Sequence, residues 1–330
     1  MISNILLVHR IQHYKIIECI LLSLEKCLQV YNQSEQTINS CALVFKTIIE
    51  LTIYPYEYYH QLITLFLSFT PISSTFIESL CILIKQKPST KPLLSKNKLL
   101  LYLSSQLQTK QSYTFISIIS FFIEVTQMIN DDFFVSHSMI FTPQIMQQLV
   151  FNFKESLFSY DRNEKAIQLL LLLFSNLTEH FTSYQQYFIE IIELLLIKKY
   201  DFSVKELEYV IYFLNEIILH ADDIFKISLC SSQIFEFYSH LLERSNLQND
   251  YLVQILSRIK DVIIIGLNKG YDINKLLNES SLLSSFMKLE LHFCKQVSQI
   301  ILSIQHVLYS SSVSNNSFFS DGCLMDCYDF

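Results

Sequence analysis

Signals for the start of an α-helix recur at near-equal intervals in the middle of this chain. They are Thr142-Pro143, Asp161-Arg-Asn-Glu164, Ser183-Tyr-Gln-Gln186 and Ser203-Val-Lys-Glu206. In the last three, the Ser or Asp can cap the free N–H groups of a first turn while Glu or Gln reaches back, and Pro suits the first helical position. The starts lie 19, 22 and 20 residues apart. Two helices therefore take about 41 or 42 residues, a period typical of stacked helical pairs.

Apolar residues keep a helical spacing from residue 3 to about residue 310, and no stretch shows the sustained alternation of a half-buried strand. The chain is therefore predicted to be all-α. A further capping box, Thr75-Phe-Ile-Glu78, predicts another helix start. The predicted helices cover residues 3–31, 35–53, 56–69, 75–86, 98–109, 112–129, 143–159, 162–180, 184–200, 204–220, 232–245, 249–267, 272–287 and 289–310.

Two segments one period apart resemble each other. Leu172-Leu-Phe-Ser-Asn-Leu-Thr-Glu-His180 and Ile211-Tyr-Phe-Leu-Asn-Glu-Ile-Ile-Leu-His220 place Asn176 and Asn215 39 residues apart. With the helix rhythm over residues 35–310, this pattern resembles the armadillo and HEAT class of helical-repeat proteins, although the usual armadillo glycine between the first helices is absent. The resemblance implies a right-handed superhelical solenoid of stacked helical pairs, in which a second or third helix of each repeat lines a groove.

Two regions interrupt the rhythm. Residues 85–98 hold five lysines and two prolines and are predicted to form an exposed loop. Residues 311–330 begin with a run of Ser and Asn and end in an acidic, aromatic segment, which predicts a flexible tail. The expected organisation is thus a solenoid over residues 1–310, with a break at the lysine-rich loop, followed by the tail.

Hydropathy raises the alternative of a polytopic helical membrane protein. Hydrophobic residues make up 51% of the chain and charged residues 17%, and the mean hydropathy is +0.31. A membrane-spanning helix needs roughly 20 predominantly apolar residues. The uncharged stretches 58–77 and 133–153 have that length, but each contains several Ser, Gln or His residues and a proline. A non-membrane solenoid is therefore the favoured prediction.

Composition also disfavours several chemistries. The net charge of −7 argues against a general nucleic-acid binder, which needs a basic surface. The glycines, Gly266, Gly270 and Gly322, form no phosphate-binding loop, so an enzyme is only the third alternative. Two incomplete metal-ligand patterns, His9 with His13 and Cys323 with Cys327, predict no metal site, and no cofactor is expected.

Cellular location follows from two further features. The eight cysteines form no framework of a small disulfide-rich domain. The apolar run directly before His9 and Arg10 has only four residues, too few for the hydrophobic region of a signal peptide. The expected location is the cytoplasm, with the nucleus as the alternative.

The predicted function is a non-catalytic scaffold or adaptor that binds other proteins along a helical-repeat groove. Asn176 and Asn215, with Glu190, Glu193 and Glu216, are candidate groove residues, since side-chain amides can clamp the backbone of an extended peptide. Hydrogen bonding between helices is the alternative explanation for the two asparagines.

Two other candidate binding segments lie outside the groove. Lys85, Lys87 and Lys91 could meet an acidic partner, and the alternative is a solvated loop between two helices. The tail could be a short linear ligand for another protein or for the groove itself, and an inert terminus is the alternative. Its candidate contact residues are Phe318, Phe319, Tyr328 and Phe330.

Overall fold

A computed structural model describes residues 14–31, 34–51, 57–68, 72–86, 99–107, 112–127, 141–244 and 247–316. All regular secondary structure within these ranges is helical. The chain divides into two compact units, unit 1 (residues 1–183) and unit 2 (residues 184–330). The prediction of an all-α fold is confirmed.

Unit 1 is built from successive helical pairs. Its helices are α1 (Tyr14–Val30), α2 (Glu35–Leu51), α3 (Glu57–Phe66), α4 (Ser74–Gln86), α5 (Leu99–Gln106), α6 (Ser112–Gln127), α7 (Pro143–Phe158) and α8 (Glu164–Leu177). The second helix of each pair contacts the second helix of the next, in the order α2, α4, α6 and α8. Helices α1, α5 and α7 pack against the second helix of their own pair. This is the stacking order of a two-helix repeat.

Unit 2 repeats three helices at a time. The helix Phe181–Ile197 (α9) spans the division between the units and precedes α10 (Val204–His220), α11 (Asp223–Ser228), α12 (Ser232–Leu242), α13 (Asn249–Asn268), α14 (Ile273–Glu279), α15 (Leu282–Leu289) and α16 (Lys295–Asn316). The long helices α10, α13 and α16 contact one another in series, as the second helices of unit 1 do, and we call them the second helices of unit 2. Two shorter helices lie between each of them and the next. HEAT and armadillo repeats have two or three helices in about 40–47 residues. The predicted armadillo/HEAT-like fold class is confirmed.

A cluster of four aromatic rings fills the core between α2, α3 and α4. The Phe45 ring lies at its centre, with centroids 5.8 Å from Tyr59, 5.6 Å from Phe66 and 6.0 Å from Phe76. All four side chains are at most 1% exposed. Aromatic packing therefore joins the three helices in this part of the stack.

Two of the sequence-predicted helix starts are confirmed. The Thr142 hydroxyl accepts a hydrogen bond from the Ile145 backbone N–H, with an N···O distance of 3.4 Å, and Pro143 is the first residue of α7. Before α10, the Ser203 and Glu206 side chains form both bonds of a capping box. In both cases the capping side chain directly precedes the first helical residue, the position from which it can reach the free N–H groups.

Three predicted starts are wrong. The chain remains non-helical from Asp161 to Asn163, so Asn163 and not Asp161 caps helix α8. The Asn163 Oδ1 accepts a hydrogen bond from the Ala166 N–H at 3.1 Å. Ser183 lies inside α9, which follows a 3₁₀ turn (Thr178–His180) without any intervening Gly or Pro to separate the helices. Thr75 lies inside α4, where the carbonyl of Ser73 accepts the first helical bonds.

The boundaries of several helices in unit 2 also differ from the prediction. The segment predicted as one helix over 272–287 is divided between α14 and α15, since Ser281 adopts a left-handed conformation with φ of 62°. The short helix α11 was not predicted; Asp222 caps it by accepting from the Phe225 N–H at 2.8 Å. Helix α16 begins at Lys295 and continues to Asn316, six residues into the predicted tail.

Mutation can distinguish the confirmed cap at Ser203 from the predicted cap at Ser183, which the structure does not contain. Ser203→Ala removes an acceptor for a first-turn N–H and is expected to cost about 1 kcal/mol of unfolding free energy. Ser183→Ala, a matched change at an exposed position inside α9, should stay within about 0.5 kcal/mol of the wild type. Denaturant unfolding followed by circular dichroism measures both, and equal effects would contradict the assigned caps.

Among the described residues, no helix combines the length and the apolar character needed to cross a membrane.

Candidate partner-binding surface

Polar side chains connect the second helices of unit 1 to one another. One pair joins each second helix to the next: α2 to α4, α4 to α6, and α6 to α8. The pairs are Lys46 Nζ with Glu78 Oε2 at 2.9 Å, Lys85 Nζ with Glu124 Oε1 at 2.6 Å, and Asn176 Nδ2 with Thr126 Oγ1 at 2.9 Å. We call these six residues the polar strip, and it crosses all four second helices of the unit.

The polar strip carries little net charge, because each of its lysines is paired with a glutamate of the next second helix. Such partly exposed ion pairs typically contribute less than about 1 kcal/mol each to stability. They place charged side chains next to each other on the surface and contribute little to the stability of the stack. The strip is therefore suited to contacts with polar groups more than to attraction of a highly charged polymer.

A depression lies on the same layer of helices, between α2 and the first turn of α4. Its volume is about 540 Å³, and it is widely open to solvent. Asn39 Oδ1 accepts from the Ser73 hydroxyl at 2.6 Å, so the amide nitrogen of Asn39 is left as the group that can donate to a ligand. Leu43 adds an apolar surface that is 52% exposed. The lining residues are Glu35, Gln36, Asn39, Ser40, Leu43 and Thr75.

Unit 2 has a comparable polar contact between its second helices. Asn215 on α10 is buried, and its Nδ2 donates to Gln254 Oε1 on α13 at 3.1 Å. One residue further along α10, Glu216 Oε2 lies 3.6 Å from His220 Nε2. The amides of both Asn176 and Asn215 thus bridge neighbouring second helices. Hydrogen bonding between helices is the alternative explanation predicted from the sequence for these two asparagines.

The other sequence-predicted site residues occupy different places. Glu190 and Glu193 are exposed on α9, and Lys85 is part of the polar strip. Residues predicted as binding or incomplete metal positions that lie outside the described ranges are Lys87, Lys91, Phe318, Phe319, Tyr328, Phe330, His9, His13, Cys323 and Cys327. The predicted lysine-rich break is likewise outside them from residue 87 to residue 98.

Sequence reasoning did not single out the polar residues of the depression. Asn39 and Ser40 lie three and four residues after Gln36, and Leu43 lies four and three residues after them, so all four share one face of α2. That spacing was available in the sequence. The contribution of Thr75 was not, because it depends on α4 packing beside α2.

A second polar cluster, in unit 2, joins the turn after α9 to helix α12. Glu236 Oε1 accepts from Lys199 Nζ at 2.7 Å and from the Tyr200 hydroxyl at 2.8 Å. These hydrogen bonds, first that of Lys199 and then that of Tyr200, lower the pKa of Glu236. For Lys199, burial is the largest single influence and opposes the charged form. The hydrogen bond and charge of Glu236, together with the contribution of Tyr200, outweigh it, so the pKa of Lys199 is raised.

His240 completes this cluster. Its ring meets the Tyr200 ring edge-on, with centroids 4.8 Å apart, and its Nε2 accepts from Arg244 Nη2 at 3.3 Å. Burial, and then the charge of Arg244, lower the pKa of His240, which keeps the imidazole neutral near pH 7 and able to accept. Because the groups bond to one another, we assign the cluster a structural role in fastening α12.

In the part of the chain that the structure describes, no three His, Cys, Asp or Glu side chains come together in a way that could hold a metal ion.

Comparison with known proteins gives similarities of backbone only. No protein-family model matches the chain, and no curated protein matches it. Among solved structures, a computationally designed armadillo repeat protein for modular peptide recognition has a TM-score of 0.49 and 13% identity, over 86% of this chain and 99% of that one. A designed armadillo repeat protein in complex with the peptide (KR)4 has a TM-score of 0.46 and 12% identity, over 86% and 98%. An engineered protein from the Northeast Structural Genomics Consortium has a TM-score of 0.47 and 11% identity, over 88% and 97%.

Proposed function

We propose that this protein is a non-catalytic scaffold or adaptor that binds other proteins through the second helices of its repeats. The observation that supports this most strongly is the depression on unit 1, where exposed polar side chains and an exposed leucine lie together. The polar strip lies on the same layer of helices and extends beyond the depression. Repeat proteins commonly use such extended surfaces for binding.

The depression suits a short extended segment of a partner protein. The backbone of an extended peptide presents N–H and C=O groups that need partners when they leave water. Gln36 can donate and accept, and the Asn39 amide nitrogen can donate. The Ser40 hydroxyl can accept, since its O–H already donates to the Gln36 backbone carbonyl at 2.8 Å. Leu43 can cover an apolar side chain of the ligand. A peptide backbone with one apolar anchor is therefore the chemistry that these residues match.

The charge of the depression favours one class of segment over another. Of its six lining residues, only Glu35 is charged. An acidic segment would place its carboxylates near Glu35, whereas a neutral or basic segment would not meet that repulsion. We therefore propose neutral or basic protein segments as ligands of this surface. Asn176, Asn215, Glu190, Glu193 and Glu216 remain proposed contacts further along the chain.

Peptide binding by the full chain tests the proposal. Tiled peptides from proteins captured in a detergent-free lysate are measured by fluorescence polarisation against the wild type and the variant Q36A/S40A. Loss of two hydrogen-bonding side chains, at about 1 kcal/mol each, is expected to weaken binding at least tenfold.

A matched variant serves as the control. S23A/Q29A removes the same two residue types from exposed positions on α1, a first helix, and should bind as the wild type does. Equal affinity of Q36A/S40A and the wild type would place the binding site elsewhere. A chain truncated after Asn316 tests in the same assay whether the proposed tail residues Phe318, Phe319, Tyr328 and Phe330 contribute.

A further inference from the structure

Helix α7 has a second apolar row on the side that faces solvent. Its packed side is formed by Ile145, Met146, Leu149, Val150, Phe153 and Leu157. On the opposite side Phe151 is 54% exposed and Phe158 is 43% exposed. These two phenylalanines are seven residues apart, so they lie in line, about 10.5 Å from each other along the helix.

Charged and polar side chains flank the two phenylalanines asymmetrically. At 100° per residue, Lys154 falls on one side of the row and Glu155 on the other, and both are exposed. Gln147 lies on the lysine side and Gln144 on the glutamate side, also exposed. One flank is therefore basic and the other acidic, with an amide on each.

This arrangement is self-complementary in one relative orientation. When two parallel helices are related by a two-fold axis along their length, each residue of the central row meets its own copy, and the left flank of one helix meets the right flank of the other. The row of Phe151 and Phe158 would then meet itself. Lys154 would meet Glu155 of the second copy, and this pair would form twice. In the antiparallel orientation each flank would meet itself, which brings like charges together.

We propose that the exposed face of α7 is a homodimer interface, in which a second copy of this chain packs its own α7 in parallel orientation. Both the apolar row and the charges on its two sides match a second copy, and an unrelated partner would not require that coincidence. A 16-residue helix is about 24 Å long, and one such helix per copy buries less than the 1,200–2,000 Å² of a standard interface. Interfaces below that size are typical of weak, transient complexes, so self-association is expected only at high protein concentration.

Charge exchange at Lys154 and Glu155 tests the orientation as well as the interface. Sedimentation velocity of the full chain, from low to several hundred micromolar protein and at low ionic strength, measures the dimer. K154E and E155K should each weaken self-association at least tenfold, since each places like charges against each other. An equimolar mixture of the two variants should form a heterodimer, and the doubly exchanged chain K154E/E155K should recover the wild-type dissociation constant.

The apolar row has its own variant and control. F151S should also weaken the dimer at least tenfold, whereas Y113S, which changes an aromatic side chain that is 81% exposed on α6, should leave it unchanged. Circular dichroism of each variant confirms that it is folded. A wild type that stays monomeric throughout, or a dimer that all three single α7 variants leave unchanged, would overturn the proposal. A dimer that F151S weakens but charge exchange does not would overturn the parallel arrangement.

Discussion

Phe45→Ala is expected to lower the free energy of unfolding by about 3–5 kcal/mol, the usual cost of removing a fully buried phenylalanine. Phe45 is completely buried and touches rings from both neighbouring helices, Tyr59 and Phe66 on α3 and Phe76 on α4. The substitution therefore leaves a cavity where three elements meet. The favourable ring-to-ring contacts, each worth about 0.5–1.5 kcal/mol beyond area burial, are lost as well.

Hydrogen exchange measured by mass spectrometry can locate this loss. Peptides from α2, α3 and α4 should exchange faster in Phe45→Ala, and the denaturant midpoint of the corresponding transition should fall. Tyr160→Ala removes an aromatic side chain that is fully exposed. It should leave the exchange of α2, α3 and α4 unchanged and change the free energy of unfolding by no more than about 0.5 kcal/mol. Unchanged protection of α2 to α4 in Phe45→Ala would show that the ring cluster does not hold these helices together.

Gly266→Val is expected to destabilise unit 2 by about 1–3 kcal/mol, although valine is a better helix former than glycine. A Cβ atom added at Gly266 would lie 2.6 Å from Ile273 Cδ1 and 2.9 Å from Cys230 Sγ. Both of these side chains are buried, so a shift of either one displaces it against its neighbours in the core. The glycine lets α13 approach α14 and Cys230, and a larger side chain at this position requires Ile273 and Cys230 to shift.

A double-mutant cycle separates this steric effect from a change in helix propensity. Ile273→Ala removes the closest atom, so Gly266→Val/Ile273→Ala should be more stable than the sum of the two single losses by at least about 1 kcal/mol. Thermal and denaturant unfolding of the four proteins measures the coupling. Strict additivity would mean that contact with Ile273 is not the cause.

The parts of the fold that depend on local patterns could be predicted from the sequence. The caps at Thr142 and Ser203 were correct because side chain, backbone and helix lie within four residues of each other. Capping residues elsewhere offered more than one choice, and Asn163 rather than Asp161 was the one next to the helix. The break at Ser281 could not be predicted, because a left-handed serine gives no signal in the residue type.

The candidate site was less accessible to sequence reasoning. The repeated Asn176 and Asn215 were recognised as polar residues at equivalent positions. A sequence does not distinguish an amide that bonds to a neighbouring helix, as both do, from one that contacts a ligand. The depression is formed by residues of α2 and α4 that are more than 30 positions apart. Pairing of two helices at that separation is decided by packing across the stack, which local spacing does not encode.

The order in which second helices touch also has a consequence for how the chain folds. Successive second helices begin 39, 38 and 52 residues apart in unit 1 and 45 and 46 residues apart in unit 2. Loop-closure entropy rises only with the logarithm of loop length, so the closing steps differ from one another by less than about 0.6 kcal/mol. No single distant contact has to form first. Each unit can nucleate at any adjacent pair of repeats and grow outward from it, which favours several parallel folding routes over one obligatory order of events.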